Sequence, residues 1–130
     1  RRARQASAAI DEVLASERDV AGIAVIAHLL QGIDGKSLRG LAEQVRDQRP
    51  AACVVLGAAD GDKALLVVAV GAEPRAKGLA AGALVGSLAK LVGGGGGGKP
   101  DIAQAGGKDP AALPAAIAAV PDLVRQAIGG

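Results

Sequence analysis

The chain has no phenylalanine, tryptophan, tyrosine or methionine, and only one cysteine and one histidine among its 130 residues. Each absence excludes something. Without Phe, Trp, Tyr or Met the core must be assembled from Val, Leu, Ile and Ala, and no Phe, Tyr or Trp ring is available on which an unpaired base can stack, the usual device of sequence-specific RNA modules. The lone Cys53 excludes an internal disulfide; set in the apolar run "AACVVLG", it reads as a buried, inert thiol. The lone His28 has no second imidazole with which to share a metal or relay a proton, and reads as a core or strand-edge residue. The longest apolar run, residues 64–70, is far short of the roughly 20 residues that cross a bilayer, and no charged-then-apolar leader opens the chain. These features predict a soluble, cytoplasmic protein with no membrane role. The opening "RRARQ", without a methionine, reads as a piece of a longer chain.

The residues present are enough for one domain with a single core. In residues 1–19, Ala3, Ala6, Ile10 and Val13 recur at steps of three, four and three, predicting a helix whose alanine-rich stripe needs a partner. The run "AGIAVIAHLL" is β-branched and mostly apolar, predicting a strand covered on both faces. Residues 37–48 turn helical, with Leu38, Leu41, Ala42 and Val45 inward and Pro50 as the stop. "AACVVLG" and "KALLVVAV" are two further strands, and Asp60-Gly61 supplies hairpin turn chemistry. The "DGD" there lacks the other ligands of a calcium loop and reads as a turn.

Residues 77–92 return to helical spacing, with Leu84, Leu88 and Leu91 inward, and the glycines after them stop the helix. "DIAQAG" predicts a short strand. Asp109-Pro110 signals a helix start, and Pro114 and Pro121 divide the C-terminal residues into short pieces. The fold class expected is α/β (α+β): a mixed β-sheet covered by helices, with a helical linker over residues 1–20 and a globular domain over 21–130. The hairpin belongs at the centre, because "CVVL" and "LLVV" lack alternation and cannot leave one face in water.

No paired acid and base, metal cluster or partnered nucleophile is visible, so no catalytic residue is assigned. The singular stretch is "GGGGGGKPDIAQAGG", residues 93–107. A phosphate loop needs its glycines after a strand and before a helix, with a hydroxyl residue after the lysine; here the glycines come after a helix and Pro100 comes after the lysine. Charge is nevertheless uneven. Residues 1–70 balance nine Lys and Arg against nine Asp and Glu, whereas residues 71–108 carry Arg75, Lys77, Lys90, Lys99 and Lys108 against only Glu73 and Asp101. Bare backbone at Gly95, Gly96, Gly97 and Gly98 with point charges around it favours a polyanion, centred on Lys99. A solvated loop with ordinary surface lysines is the competing account.

The stretch "LVGGGGGGKPDIAQAGGKDPAALPAAI" resembles the C-terminal (C-Ala, DHH-associated) domain of bacterial alanyl-tRNA synthetases, a domain shared in diverged form with DHH-type phosphoesterases. The resemblance extends back through "ACVVLGAADGDKALLVVAVG" and "KSLRGLAEQVRDQ" to about Glu17. It implies a non-catalytic domain that grips the tRNA elbow and helps aminoacylation and editing domains act on one tRNA. By position, Lys99 and the preceding glycines match the family's Gly-rich loop, and Gln104, Gly106 and Gly107 match its second half. The parent enzyme it implies joins alanine to tRNA(Ala) with ATP and edits mischarged tRNA. ATP, magnesium and zinc belong to upstream domains, and no cofactor is expected here. The phosphoesterase relatives carry Gly-Gly-Gly-His, where this chain has Lys99 and Pro100 after its glycines, and their catalytic motifs are absent. Two alternatives stay open. One is the nucleic-acid-binding domain of a DHH-type phosphoesterase; the other is a homodimerisation module built on the first helix or on Gly78, Gly82 and Gly86, four apart on one helical face.

Overall fold

The computed structural model describes residues 13–20, 22–31 and 33–128. The elements run β1 (Arg18–Val20), β2 (Ile23–Gln31), α1 (Gly35–Gln48), β3 (Ala52–Asp60), β4 (Lys63–Val70), α2 (Ala72–Ala76), α3 (Ala81–Leu91), β5 (Gly95–Gly98), β6 (Ile102–Gly107), a 3-10 turn (Pro110–Ala112) and α4 (Leu113–Ala127). The strands form one sheet in the order β1-β2-β3-β4-β6-β5. Among the described residues only the β2–β3 pair is parallel. A parallel pair needs a crossover, which α1 supplies. The α1 helix opens at Asp34, whose carboxylate accepts the Ser37 N–H at 2.7 Å. That backbone hydrogen bond holds the Asp34 carboxyl below its ordinary pKa.

Helices cover both faces of the sheet, and this is why its central strands are apolar at nearly every position. On one face Leu38, Leu41, Ala42 and Val45 of α1 pack with Ile26, Val54, Leu56, Val67 and Ala69. On the other, Leu84 and Leu88 of α3 and Val120 and Val124 of α4 pack with Val25, Val55, Leu66 and Val68. Each fully buried Val or Leu contributes roughly 1.5–3 kcal/mol. A core of many medium side chains thereby replaces one anchored on aromatic rings. The hairpin of β3 and β4 lies at the centre, with both strands buried on both sides, as the missing alternation predicts.

Several elements differ from the sequence-based expectation. The hairpin turn sits one residue later, at Gly61 and Asp62, because Asp60 still pairs with Lys63; Gly61 takes φ +60°, which suits glycine in a two-residue loop. The third helix begins at Ala81, since residues 72–76 form the separate helix α2 and Lys77 caps it. Leu91, expected inward, is 47% exposed. At 100° per residue it falls at the margin of a stripe centred on Ala81, Leu88 and Val92, all fully buried.

The prolines do not divide the last helix, which runs unbroken over 15 residues. Pro114 lies in the first turn, where an N–H has no helical acceptor, and Pro121 removes one rung of the ladder. The inward stripe of Ala116, Val120 and Val124 keeps the helix docked across that gap. Asp109 does not cap with its side chain. Of the helix expected over residues 1–19, residues 1–12 lie outside the described residues. The remainder is helical only at 13–15, with Val13 buried beneath the α1 face, before Arg18 enters a strand. Among the described residues no helix is long and apolar enough to cross a membrane.

Candidate nucleic-acid interface

The glycine run is neither linker nor loop. Gly93, at φ +73°, ends α3, and the Gly94 N–H donates back to the Ala89 carbonyl at 2.9 Å, closing the helix terminus. Gly95–Gly98 then form β5, the sheet's edge strand, paired antiparallel with β6. Glycine is the weakest of strand formers by composition, so pattern alone places a loop here. Close backbone approach is what makes a strand of it. A Cβ at Gly96 would strike Ala105, one at Gly94 the Gly106 carbonyl, and one at Gly98 would stand 2.8 Å from the Ala103 Cα. From the other side α3 lies directly on the strand: a Cβ at Gly82 would be 2.7 Å from the Gly98 carbonyl oxygen, and one at Gly86 would be 3.8 Å from that of Gly96. Gly82 and Gly86 are thus turned onto β5, and Gly78 lies outside α3.

Strand alternation sorts the remaining residues by face. In β6, Ile102 joins the α1-side cluster while Ala103 and Ala105 join the α3 side. Gln104 and Gly106 therefore face the α1 side, together with their β5 partners Gly97 and Gly95. A Cβ at Gly95 or Gly97 would meet nothing within 4 Å. This outer face of β5 is open backbone.

The predicted cations divide into groups. Lys99 stands exposed at the β5–β6 turn, where its N–H donates to the Ile102 carbonyl at 3.1 Å. Lys108 stands at the other end of β6 and lines a shallow cavity of about 260 Å³ with Lys63, Leu65, Gly94 and Gly106. Lys90 is exposed in the last turn of α3, on the opposite face. None of Lys63, Lys90, Lys99 and Lys108 pairs with an acid among the described residues. The acid nearest Lys99 in sequence, Asp101, is engaged instead by Arg46, which reaches its carbonyl at 3.3 Å and its carboxylate at 3.9 Å.

Three predicted site residues serve the fold. Gln104 donates from Nε2 to the Gly35 carbonyl at 2.9 Å, tying β6 to the start of α1. Lys77 donates from Nζ to the Gly22 carbonyl at 3.1 Å, beside β2 and four strand positions, about 19 Å, from β5. Arg75 donates from Nε to the Gly71 carbonyl at 3.4 Å, within its own helical segment. Gly107 is needed for packing, because a Cβ there would strike Val92. Sequence reasoning missed Lys63, whose approach to Lys108 comes from the β4–β6 register.

The other chemistry-bearing residues are quiet. Cys53 is fully buried, and burial pushes its thiol up to about 12. His28 lies half-buried in β2. No group of three or more metal-ligating side chains converges among the described residues.

Known proteins share both the sequence pattern and this geometry. Residues 22–126 match the DHHA1 domain. The chain is 47% identical over 127 residues to the alanine--tRNA ligase of Anaeromyxobacter dehalogenans, covering 98% of this chain and 14% of that protein. With the alanine--tRNA ligase of Chromohalobacter salexigens it shares 43% over 128 residues, covering 98% and 15%. The chain therefore spans about one seventh of the curated relatives it matches. The C-Ala domain from Aquifex aeolicus alanyl-tRNA synthetase superposes with a TM-score of 0.78 at 29% identity, over 83% of this chain and 96% of that one. An exopolyphosphatase-related protein from Bacteroides fragilis shares the fold alone, with a TM-score of 0.51 at 13% identity over 92% of this chain and 36% of that one.

Proposed function

The chain belongs to the DHHA1 domain family, and from that premise we propose that it is the C-terminal tRNA-binding domain of an alanine--tRNA ligase acting in the cytoplasm. Support comes from relatives of that name at 43–47% identity across nearly all of this chain, and from the likeness to a C-Ala domain. The parent enzyme joins alanine to its tRNA at the expense of ATP and clears mischarged tRNA. ATP, magnesium and zinc are handled by its other domains. This domain itself holds the elbow of the tRNA and so brings the aminoacylation and editing domains onto one tRNA. It performs no chemistry of its own.

The observation that carries the reading is the pairing of exposed, acid-free lysines with the bare backbone of β5. Main-chain amides and ammonium groups together suit phosphate oxygens, and the lack of any aromatic platform leaves shape and backbone contact as the means of recognition. A net charge of +2 makes affinity modest in isolation, which suits a domain tethered to other tRNA-binding parts. Fluorescence anisotropy of labelled tRNA with this chain tests the reading. Wild type binds at low salt, and Lys99→Ala weakens binding of every tRNA to a similar degree. Absence of binding by wild type at low salt contradicts it.

A further inference from the structure

We infer that RNA lies in one particular trough of this domain, on the α1 side of the sheet between α1 and edge strand β5, with Arg39 and Lys63 as contacts beside Lys99 and Lys108. The inference rests on the tRNA-binding reading and deepens it, because charge alone does not say which face is used.

The trough arises from register. Glycines 95 and 97 of β5 and Gly106 of β6 share the α1-facing side, and α1 covers β3 and β4 without reaching β5. Gly35 meets Gln104 and Arg46 meets Asp101, so α1 runs alongside β6 at both ends. Arg39 lies four residues after Gly35 and seven before Arg46, hence on the same helical flank, the one turned toward β5. Its side chain is half exposed, and its ion pair to Glu43 at 3.6 Å is of the exposed kind that holds little energy.

The two ends of the trough carry the other cations. Lys63 shares the parity of Leu65 and Val67 on the α1 side, and with Lys108 it bounds the 260 Å³ cavity. Lys99 continues the parity of Gly95 and Gly97 at the far end. From Gly94 to Lys99 the strand spans about 16 Å at roughly 3.3 Å per residue. A nucleic-acid strand carries a phosphate every few ångströms along its axis, so several phosphates fall within that span. A floor without side chains lets the sugar-phosphate backbone lie against the strand while cations grip it at both ends and from the α1 wall. Lys77 reaches Gly22 beside β2 and has no part in this site, and Lys90 projects from the opposite face.

The test measures tRNA affinity and its salt dependence for wild type, Arg39→Ala, Lys63→Ala, Gly97→Leu and Lys90→Ala, the last on the opposite face. Thermal unfolding accompanies each titration. Gly97→Leu is the informative variant: open space surrounds its Cβ position and it has no left-handed φ, so the fold accepts the side chain while the trough is filled. The expected result is weaker binding by roughly threefold to tenfold for Arg39→Ala and Lys63→Ala, each with a salt slope flatter by about one. Gly97→Leu loses at least as much at unchanged Tm, and Lys90→Ala binds like wild type. Wild-type affinity in both Arg39→Ala and Gly97→Leu overturns the trough and leaves the tRNA reading standing. A wild-type chain that binds no tRNA overturns both.

Discussion

The side-chain amide of Gln104 in β6 donates to the main-chain carbonyl of Gly35, 69 positions earlier, at 2.9 Å. This bond fixes the first turn of α1 against the outer strands and sets the depth of the surface between them. Replacing Gln104 with Leu removes the donor from a part-buried carbonyl and lowers stability by about 1 kcal/mol. Urea unfolding reads the change directly.

Gly82 packs more closely on β5 than Gly86 does, with the Gly98 carbonyl oxygen 2.7 Å from where a Cβ would stand. Gly82→Val forces strand and helix apart and destabilises by about 1–3 kcal/mol. Gly40 is the control, a glycine within α1 whose Cβ would meet nothing within 4 Å. Gly40→Ala stabilises by about 0.5–1 kcal/mol through the helix preference of alanine and the narrower unfolded state. Opposite shifts in Tm from these two glycine replacements distinguish packing from propensity.

These two glycines also mark where sequence patterns succeed and stop. Periodicity places Leu38, Leu41, Ala42 and Val45 on the inner stripe of α1, where all four are buried, and the unbroken apolar runs of β3 and β4 put the hairpin at the centre of the sheet. Both signals are local and repeat within one element. The strand at Gly95–Gly98 carries no such signal, because what requires glycine at Gly96 and Gly98 is the proximity of Ala105, Ala103 and Gly82, which belong to other elements. The candidate site divides in the same way. Lys99 is legible from its place after the glycines, whereas Lys63 depends on pairing of β4 with β6, and Lys77 is near the glycines along the chain but reaches Gly22 beside β2.

Burial raises the Cys53 thiol to about 12, against an ordinary value of 9.0. Between these values the unfolded chain gives up a proton that the folded chain retains. The stability this group contributes is therefore complete below about pH 9 and is lost as pH rises toward 12, by at most about 1.4 kcal/mol per pH unit. Wild type loses more stability than Cys53→Ala between pH 8.5 and roughly 10 in parallel denaturant titrations. Thiol reagents label Cys53 in urea and leave it unlabelled in the folded protein at pH 8.

The most direct test of the central claim, that this domain holds tRNA through its phosphates, is the slope of log affinity against log salt for the wild-type chain. Contacts from Arg39, Lys63, Lys99 and Lys108, at about 0.7–0.9 each, give a slope of about −3 to −4. A tRNA affinity that stays constant across the salt series would contradict the account.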